Sequence, residues 1–438
     1  MITEEQKMIA QWAMDYALKN GCQAARLSLY NNSNTSFEIR DMKIDKLSQA
    51  SENGLSIQMF VDGRYGSFST NRLDKSELET FIKNAIDSTR YLAEDKARIL
   101  PDTSLYYKGG EPDLELYDNM FANINPDVKV ALAMQVCDEI MGNERVISSN
   151  SSYSDGDNFG YHIASNGFEG HSSNSCYSLF GAASIKGEGD ARPEGYWYEA
   201  SLFFNELEKE GIGKKALERT LGKLGQKKIN SGKMSMVVDF MNSRRLLSPV
   251  IGALYGAAIQ QKNSFLLDKL DQKVFNANVS IIDEPHLLRS SGARYFDNEG
   301  VATKRQPVFD EGVLKTYFID TYFGKKLNVP QTVSSPSILN MPMGNRDLDG
   351  LIASVDKGIF VTGFNGGNCN STTGDFSYGI EGFLIEKGKL SQPINEMNVT
   401  GNMITLWNNL AETANDARTD SNWRIPSLLF DDVDFSGI

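Results

Sequence analysis

A chain of 438 residues exceeds what one hydrophobic core usually serves, so two or three domains are expected. Its 40% hydrophobic and 10% aromatic residues are ample for globular cores and exclude a disordered chain. A formal charge of −13, with no visible cluster of basic residues, repels phosphate backbones and disfavours nucleic acid as a direct partner.

The first stretch, MITEEQKMIAQWAMDYALKNG, has early acidic residues and apolar positions at helical spacing (Ile9, Trp12, Ala13, Tyr16, Ala17), without the basic start and continuous apolar run of a signal peptide. No stretch reaches the length of a transmembrane span. β-rich runs follow around the turn signals Asn53-Gly54 and Asp62-Gly63. DKSELETFIKNAIDSTRYLA has helical spacing, with Asp74 or Ser76 as N-cap and Glu79 as capping-box partner to Ser76. A further helix is predicted over Pro126 to Asn143, then antiparallel sheet from Val146 to Phe204, then a helix and a polar linker. Beyond it, turns at Asn298-Glu299-Gly300, Glu311-Gly312 and Lys387-Gly388 separate strands, and IPSLLFDDVDF supplies a closing strand. Strands and helices in blocks, without regular βαβ alternation, define an α+β fold in two domains. The N-terminal mixed α/β domain is expected over residues 1–228 and a β-rich domain over 229–438, with the boundary near Gly225 to Lys233.

Chemistry-bearing residues are sparse. His162, His171 and His286 are the only imidazoles, and nothing resembles a zinc site. His162 and His171, nine residues apart, would face opposite sides of a straight strand. Cys22, Cys137, Cys176 and Cys369 are widely separated and form no CxxC pair, so reduced thiols and a cytoplasmic location are expected. GGNCNSTTGD, Gly366 to Asp375, is the richest polar loop; its Cys369 is the one thiol in a setting that could be reactive, although turn formation is the simpler reading. GIGKKALERTLGKLG imitates a phosphate-contacting hairpin, against the acidic character of the chain. RRLLSPVIGALYGAA, Arg244 to Ala258, repeats apolar residues at helical steps (Leu246, Leu247, Val250, Ile251, Leu254), yet carries Pro249, Gly252 and Gly256 and no charged or metal-binding side chain after Arg245.

Two long stretches, NSFLLDKLDQKVFNANVSIIDEPHLLRSSGARYFDNEGVATKRQPVFDEGVLKTYFIDTYFGKKL and GDFSYGIEGFLIEKGKLSQPINEMNVTGN, resemble the TldD/TldE (PmbA) family, often labelled modulators of DNA gyrase. The resemblance is densest from about Leu246 to Ile438. It implies that catalytic TldD-type subunits carry a metal-binding HExxxH on the central helix, preceded by two apolar residues. Here Ser248 and Pro249 stand at the first histidine and glutamate positions and Ala253 at the second histidine position. The cysteine that completes the family's metal site has no counterpart in DARTDSNWRIPSLLF. Ligands five residues apart lie about 140° apart on a regular helix, so such a motif needs a locally distorted turn, and Pro249 favours a kink or a fresh helix start with Ser248 as N-cap.

The resemblance therefore implies a TldE-like subunit that binds no cofactor itself, in a cytosolic metalloprotease degrading unfolded or short peptides, with a zinc-type metal in a TldD-type catalytic partner. Isolated, the chain is expected to form a homodimer, with no membrane and no direct nucleic-acid partner. Phe360, Val361, Thr362, Gly363 and Phe364, in GIFVTGFNGG, are the candidate edge strand for holding an extended peptide. Two other readings compete: an independently active peptidase using an unrecognised site such as Cys369, and a modulator acting on gyrase or DNA directly.

Overall fold

The computed structural model describes all 438 residues. The first unit opens with helix α1 (Glu4–Lys19), whose N-terminus is closed by a reciprocal capping box between Thr3 and Gln6. Strands β1 (Ala24–Arg40), β2 (Lys43–Val61) and β3 (Arg64–Thr70) precede α2 (Lys75–Arg90). Asp74 is the N-cap of α2 and Ser76 lies inside the helix, so the capping box expected at Ser76 does not form. Then come α3 (Pro126–Met141), β4 (Val146–Ala164), β5 (Phe168–Ile185), β6 (Glu194–Ser201) and α4 (Ile212–Leu221). The six strands form one antiparallel sheet in the order β3-β2-β1-β4-β5-β6.

Period-2 alternation gives this sheet two unlike faces. Leu27, Leu29, Ile57 and Met59 point to the face covered by α1 and α2 and are sealed from solvent. Farther along, Tyr153, Tyr177 and Leu179 are buried in a second cluster with Val136 of α3 and Ile212 of α4. Arg26, Ser28 and Gln58 alternate with the buried residues and therefore face the other side.

The second unit contains β7 (Gly232–Val238), α5 (Phe240–Gly252), α6 (Gly256–Gln260), β8 (Ile281–Asp283), β9 (Gln306–Asp310), β10 (Val313–Leu314), α7 (Thr321–Leu327) and β11 (Leu339–Asn340). It continues with α8 (Leu348–Ala353), β12 (Lys357–Cys369), β13 (Asp375–Glu386), β14 (Lys389–Asn402), α9 (Met403–Asn408), β15 (Leu410–Thr413), β16 (Trp423–Arg424) and β17 (Leu428–Ser436). A small sheet runs β10-β9-β8-β11-β16. The larger sheet, β14-β13-β12-β7-β17-β15, closes on itself because β14 also pairs with β17. Leu246, Leu247, Val250, Ile251 and Leu254, at most 1% exposed, anchor α5 in the largest core cluster with Met236, Ile359, Ile380 and Phe430. The turn at Lys387-Gly388, with φ of 52° and 74°, connects β13 to β14 as the sequence predicts.

The handover between units falls slightly ahead of residue 229: Lys227 already bridges Ile394, and Ile229 packs on the second unit's core. The units are also interlocked. The segment after α2 crosses to the second unit, with Tyr107 N donating to Gly300 O and Arg289 N donating to Leu114 O.

Candidate functional site

The central helix is longer than its apolar core and starts earlier than the sequence predicts. Asp239 caps it, its Oδ1 accepting from Asn242 N at 3.1 Å, and the helix runs unbroken through Pro249 to Gly252. Ser248 is thus no N-cap and Pro249 starts no new helix. The break comes at Ala253–Tyr255, before α6.

An open cleft of about 640 Å³ lies over this break. Ser248, Pro249, Gly252 and Ala253 line it from α5, and Asn368 and Cys369 line it from the end of β12. The structure therefore brings together Ser248, Pro249 and Ala253, expected from the resemblance at ligand positions, and the candidate thiol, which lies more than a hundred residues away in sequence. Arg245 stands at the same cleft, stacked over Tyr378 at 4.7 Å from the ring centroid and donating to Gly367 O at 2.9 Å.

The donor set does not fit zinc. Ser248 offers a neutral hydroxyl, Pro249 and Ala253 offer nothing, and no histidine lines the cleft. Nowhere in the chain do three or more His, Cys, Asp or Glu side chains gather closely enough to hold a metal ion. Burial, reinforced by Asp375, pushes the Cys369 thiol up to about 11, which keeps it in the non-nucleophilic thiol form at neutral pH. The loop after it is built as a turn: Asn370 Oδ1 accepts from Thr372 N, and the Ser371 and Thr372 hydroxyls both donate to Asn263 Oδ1 at 2.6 Å.

The segment where the family's metal cysteine is expected holds the two units together instead. Arg418 Nη1 donates to Tyr198 O at 3.1 Å and Nη2 pairs with Glu199 at 3.1 Å, both in the first unit, while Nε donates to Asp420 at 2.8 Å.

The other sequence candidates resolve as follows. The edge expected at Phe360–Phe364 is not free where it begins, since Phe360 and Val361 pair with β13 on one side and with β7 on the other. Past Val361 the β7 side gives way to α5, and the Thr362 carbonyl accepts from Asn242 Nδ2 at 2.8 Å. The sequence misses this because pairing to β7 is more than a hundred residues distant. In GIGKK, the backbone N–H groups of Gly211 and Gly213 donate to the Glu139 carboxylate at 2.9 and 2.8 Å, so a side chain of the chain itself fills the place a phosphate would take. His162 and His171 do lie on opposite faces, on adjacent strands joined by a turn. His171 stacks on Tyr161 beside α1, whereas His162 sits between Ser28 and Ser172, its pKa lowered to about 4 mainly by burial. His286 bonds Thr303 and packs against Tyr295 with the rings tilted by 43°.

Sequence profiles place this scaffold among the metallopeptidases: PmbA/TldA metallopeptidase domain 1 matches residues 25–89, the central domain 120–224 and the C-terminal domain 231–437. The chain belongs to the PmbA/TldD family. It is 29% identical to the metalloprotease PmbA homolog of Haemophilus influenzae, over 99% of this chain and 96% of that protein. The metalloprotease TldD homolog of the same bacterium aligns at 26% identity over only 48% of this chain and 46% of that protein. A crystal structure of a candidate DNA gyrase modulator from Bacteroides thetaiotaomicron matches with a TM-score of 0.99, 65% identity and 100% coverage of both chains. TldE from Thermococcus kodakarensis shares the fold, with a TM-score of 0.84 at 17% identity over 98% of this chain and 100% of that one.

Proposed function

We propose that this chain is a noncatalytic, TldE/PmbA-like subunit of a cytosolic metalloprotease. It shapes the cavity in which a TldD-type partner, carrying the zinc-type metal, cleaves unfolded or short peptides. The observation that carries the reading is the cleft over α5, whose wall is lined by Ser248, Pro249 and Ala253, the residues that the resemblance puts at the family's ligand positions. A raised thiol pKa at Cys369 argues against an independent nucleophile in the same cleft. Full-length similarity to a PmbA homolog, against half-length similarity to a TldD homolog of the same bacterium, supports a division into two kinds of subunit. Occupation of the Gly211–Gly213 amides by Glu139 weighs against direct DNA contact.

Elemental analysis of the purified chain after dialysis against a weak chelator tests this reading. Well under about 0.1 zinc per chain is expected, with no cleavage of an unfolded peptide until a TldD-type subunit is added. One tightly held metal per chain, or cleavage by the chain alone, would overturn it.

A further inference from the structure

A different cleft, of about 800 Å³, lies between the units. That size falls in the range of roughly 300–1,000 Å³ typical of small-ligand sites. One wall is the face of the first sheet that carries no helices, with Ser28, His162, Ser172 and Asn174 pointing outward. The opposite wall is the Ser290–Gly300 loop of the second unit, and the crossing segment around Tyr107 forms a third side.

Two arginines line this cleft, and their charges are disposed differently. Arg26 is satisfied: it pairs with Glu299 at 3.3 Å and donates twice to Gln58 Oε1. Arg294 is not. Its Nε donates to Ser337 Oγ at 2.9 Å, and its Nη2 donates to Ser335 O, Ser335 Oγ and Pro336 O, all neutral acceptors. Its Nη1 has no partner in the chain, and no carboxylate forms an ion pair with it. Its carboxylate neighbours are Asp297, whose oxygens accept from the backbone of Glu299, Val301 and Ser334, and Asp283, whose Oδ1 accepts from the backbone of Ser337 and Ile338; neither is within ion-pair distance of the guanidinium. A guanidinium that lines a cleft, is hydrogen-bonded to neutral groups and keeps Nη1 without a partner is suited to a carboxylate.

The rest of the lining limits what carries that carboxylate. Glu111 and Asp113 also line the cleft, which disfavours a polyanion and suits an ammonium or neutral remainder. Ser172 and Asn174 offer neutral donors and acceptors, as a peptide backbone requires. Tyr107 and Tyr295 stack in parallel, centroids 5.3 Å apart and 3° between planes, as an apolar platform.

We propose that this inter-unit cleft binds short peptides by their free C-terminal carboxylate, with Arg294 as the anchor. This site is separate from the α5 cleft, and it holds or fails independently of the subunit role proposed above.

Calorimetric titration of the full chain with trialanine, trialanine amide and inorganic phosphate tests it. Trialanine is expected to bind at least tenfold more tightly than its amide or phosphate. Arg294→Lys, which keeps the charge but loses the planar fork, should weaken trialanine binding about tenfold and leave the amide unaffected. Arg245→Ala, in the other cleft, should change nothing. The acid-against-amide comparison on the unaltered protein decides the matter even if the Arg294 variant folds poorly. Equal binding of acid and amide, no binding at millimolar concentration, phosphate binding as tightly as peptide, or loss in Arg245→Ala with retention in Arg294→Lys would each overturn the proposal.

Discussion

Asp283 is 1% exposed yet satisfies only one of its carboxylate oxygens: Oδ1 accepts from Ser337 N and Ile338 N at 2.8 and 3.1 Å, and Oδ2 has no partner. Burial pushes its pKa up to about 6 despite those two bonds. Because the folded value lies above the unfolded one, near 3.9, this group's contribution to stability is full below that lower value and is lost as pH rises through about 6. Asp283→Asn keeps the Oδ1 acceptor and cannot ionise. Its stability relative to the unaltered protein should therefore rise by about 2 kcal/mol between pH 4.5 and pH 8. Urea unfolding at the two pH values measures this, and a difference independent of pH would contradict it. At this scale the sequence was least legible. The assignment of Ser248, Pro249 and Ala253 to the family's ligand positions rests on the resemblance and on no local signal. The surroundings of Asp283, of Cys369 and of Glu139 were not readable, because each is made by segments tens or hundreds of residues away.

Glycines of similar appearance in the sequence have opposite roles in the elements. A Cβ on Gly213 would lie 2.2 Å from the Val136 carbonyl oxygen and 2.7 Å from Glu139 Cβ, so this glycine permits the close crossing of α4 on α3. Gly252, at the end of α5, has nothing within 4 Å of that position. Ala normally favours a helix over Gly by about 1 kcal/mol. Gly213→Ala should nevertheless destabilise by about 2 kcal/mol or more through overpacking, whereas Gly252→Ala should be neutral or stabilising by up to about 1 kcal/mol. Denaturant midpoints of the two variants check this, and equal shifts of one sign would refute it. Element identity was largely readable: the apolar spacing of α5 and the Lys387-Gly388 turn were local signals. Thr3 and Gln6 also fit the capping-box spacing that the sequence reading passed over. The double pairing of β12 was not readable, because an apolar strand looks the same locally whether or not it has a second neighbour.

Across the whole molecule, Arg418 is one of several charged contacts between the units, its side chain 12% exposed between Glu199 of the first unit and Asp420 of the second; Arg219–Asp239 and Arg26–Glu299 are others. Arg418→Ala would leave Asp420 without its cation and Glu199 with Lys215 at 3.4 Å and the Trp197 indole N–H, at a cost of about 2 kcal/mol. Thermal unfolding should then begin earlier; an unchanged transition would show that the clamp is dispensable. The α+β class was legible from the block order of strands and helices, but the clefts were not, since each is lined by segments far apart in sequence. The central claim is that catalysis belongs to a partner and not to this chain. Hydrolysis of an unfolded peptide by the reconstituted pair tests it most directly. Cys369→Ala in this subunit should change the rate by less than about tenfold, while removal of the partner's metal-binding histidines should abolish cleavage. A fall of several orders of magnitude on Cys369→Ala, with the complex still assembled, would move the chemistry onto this chain and contradict the account.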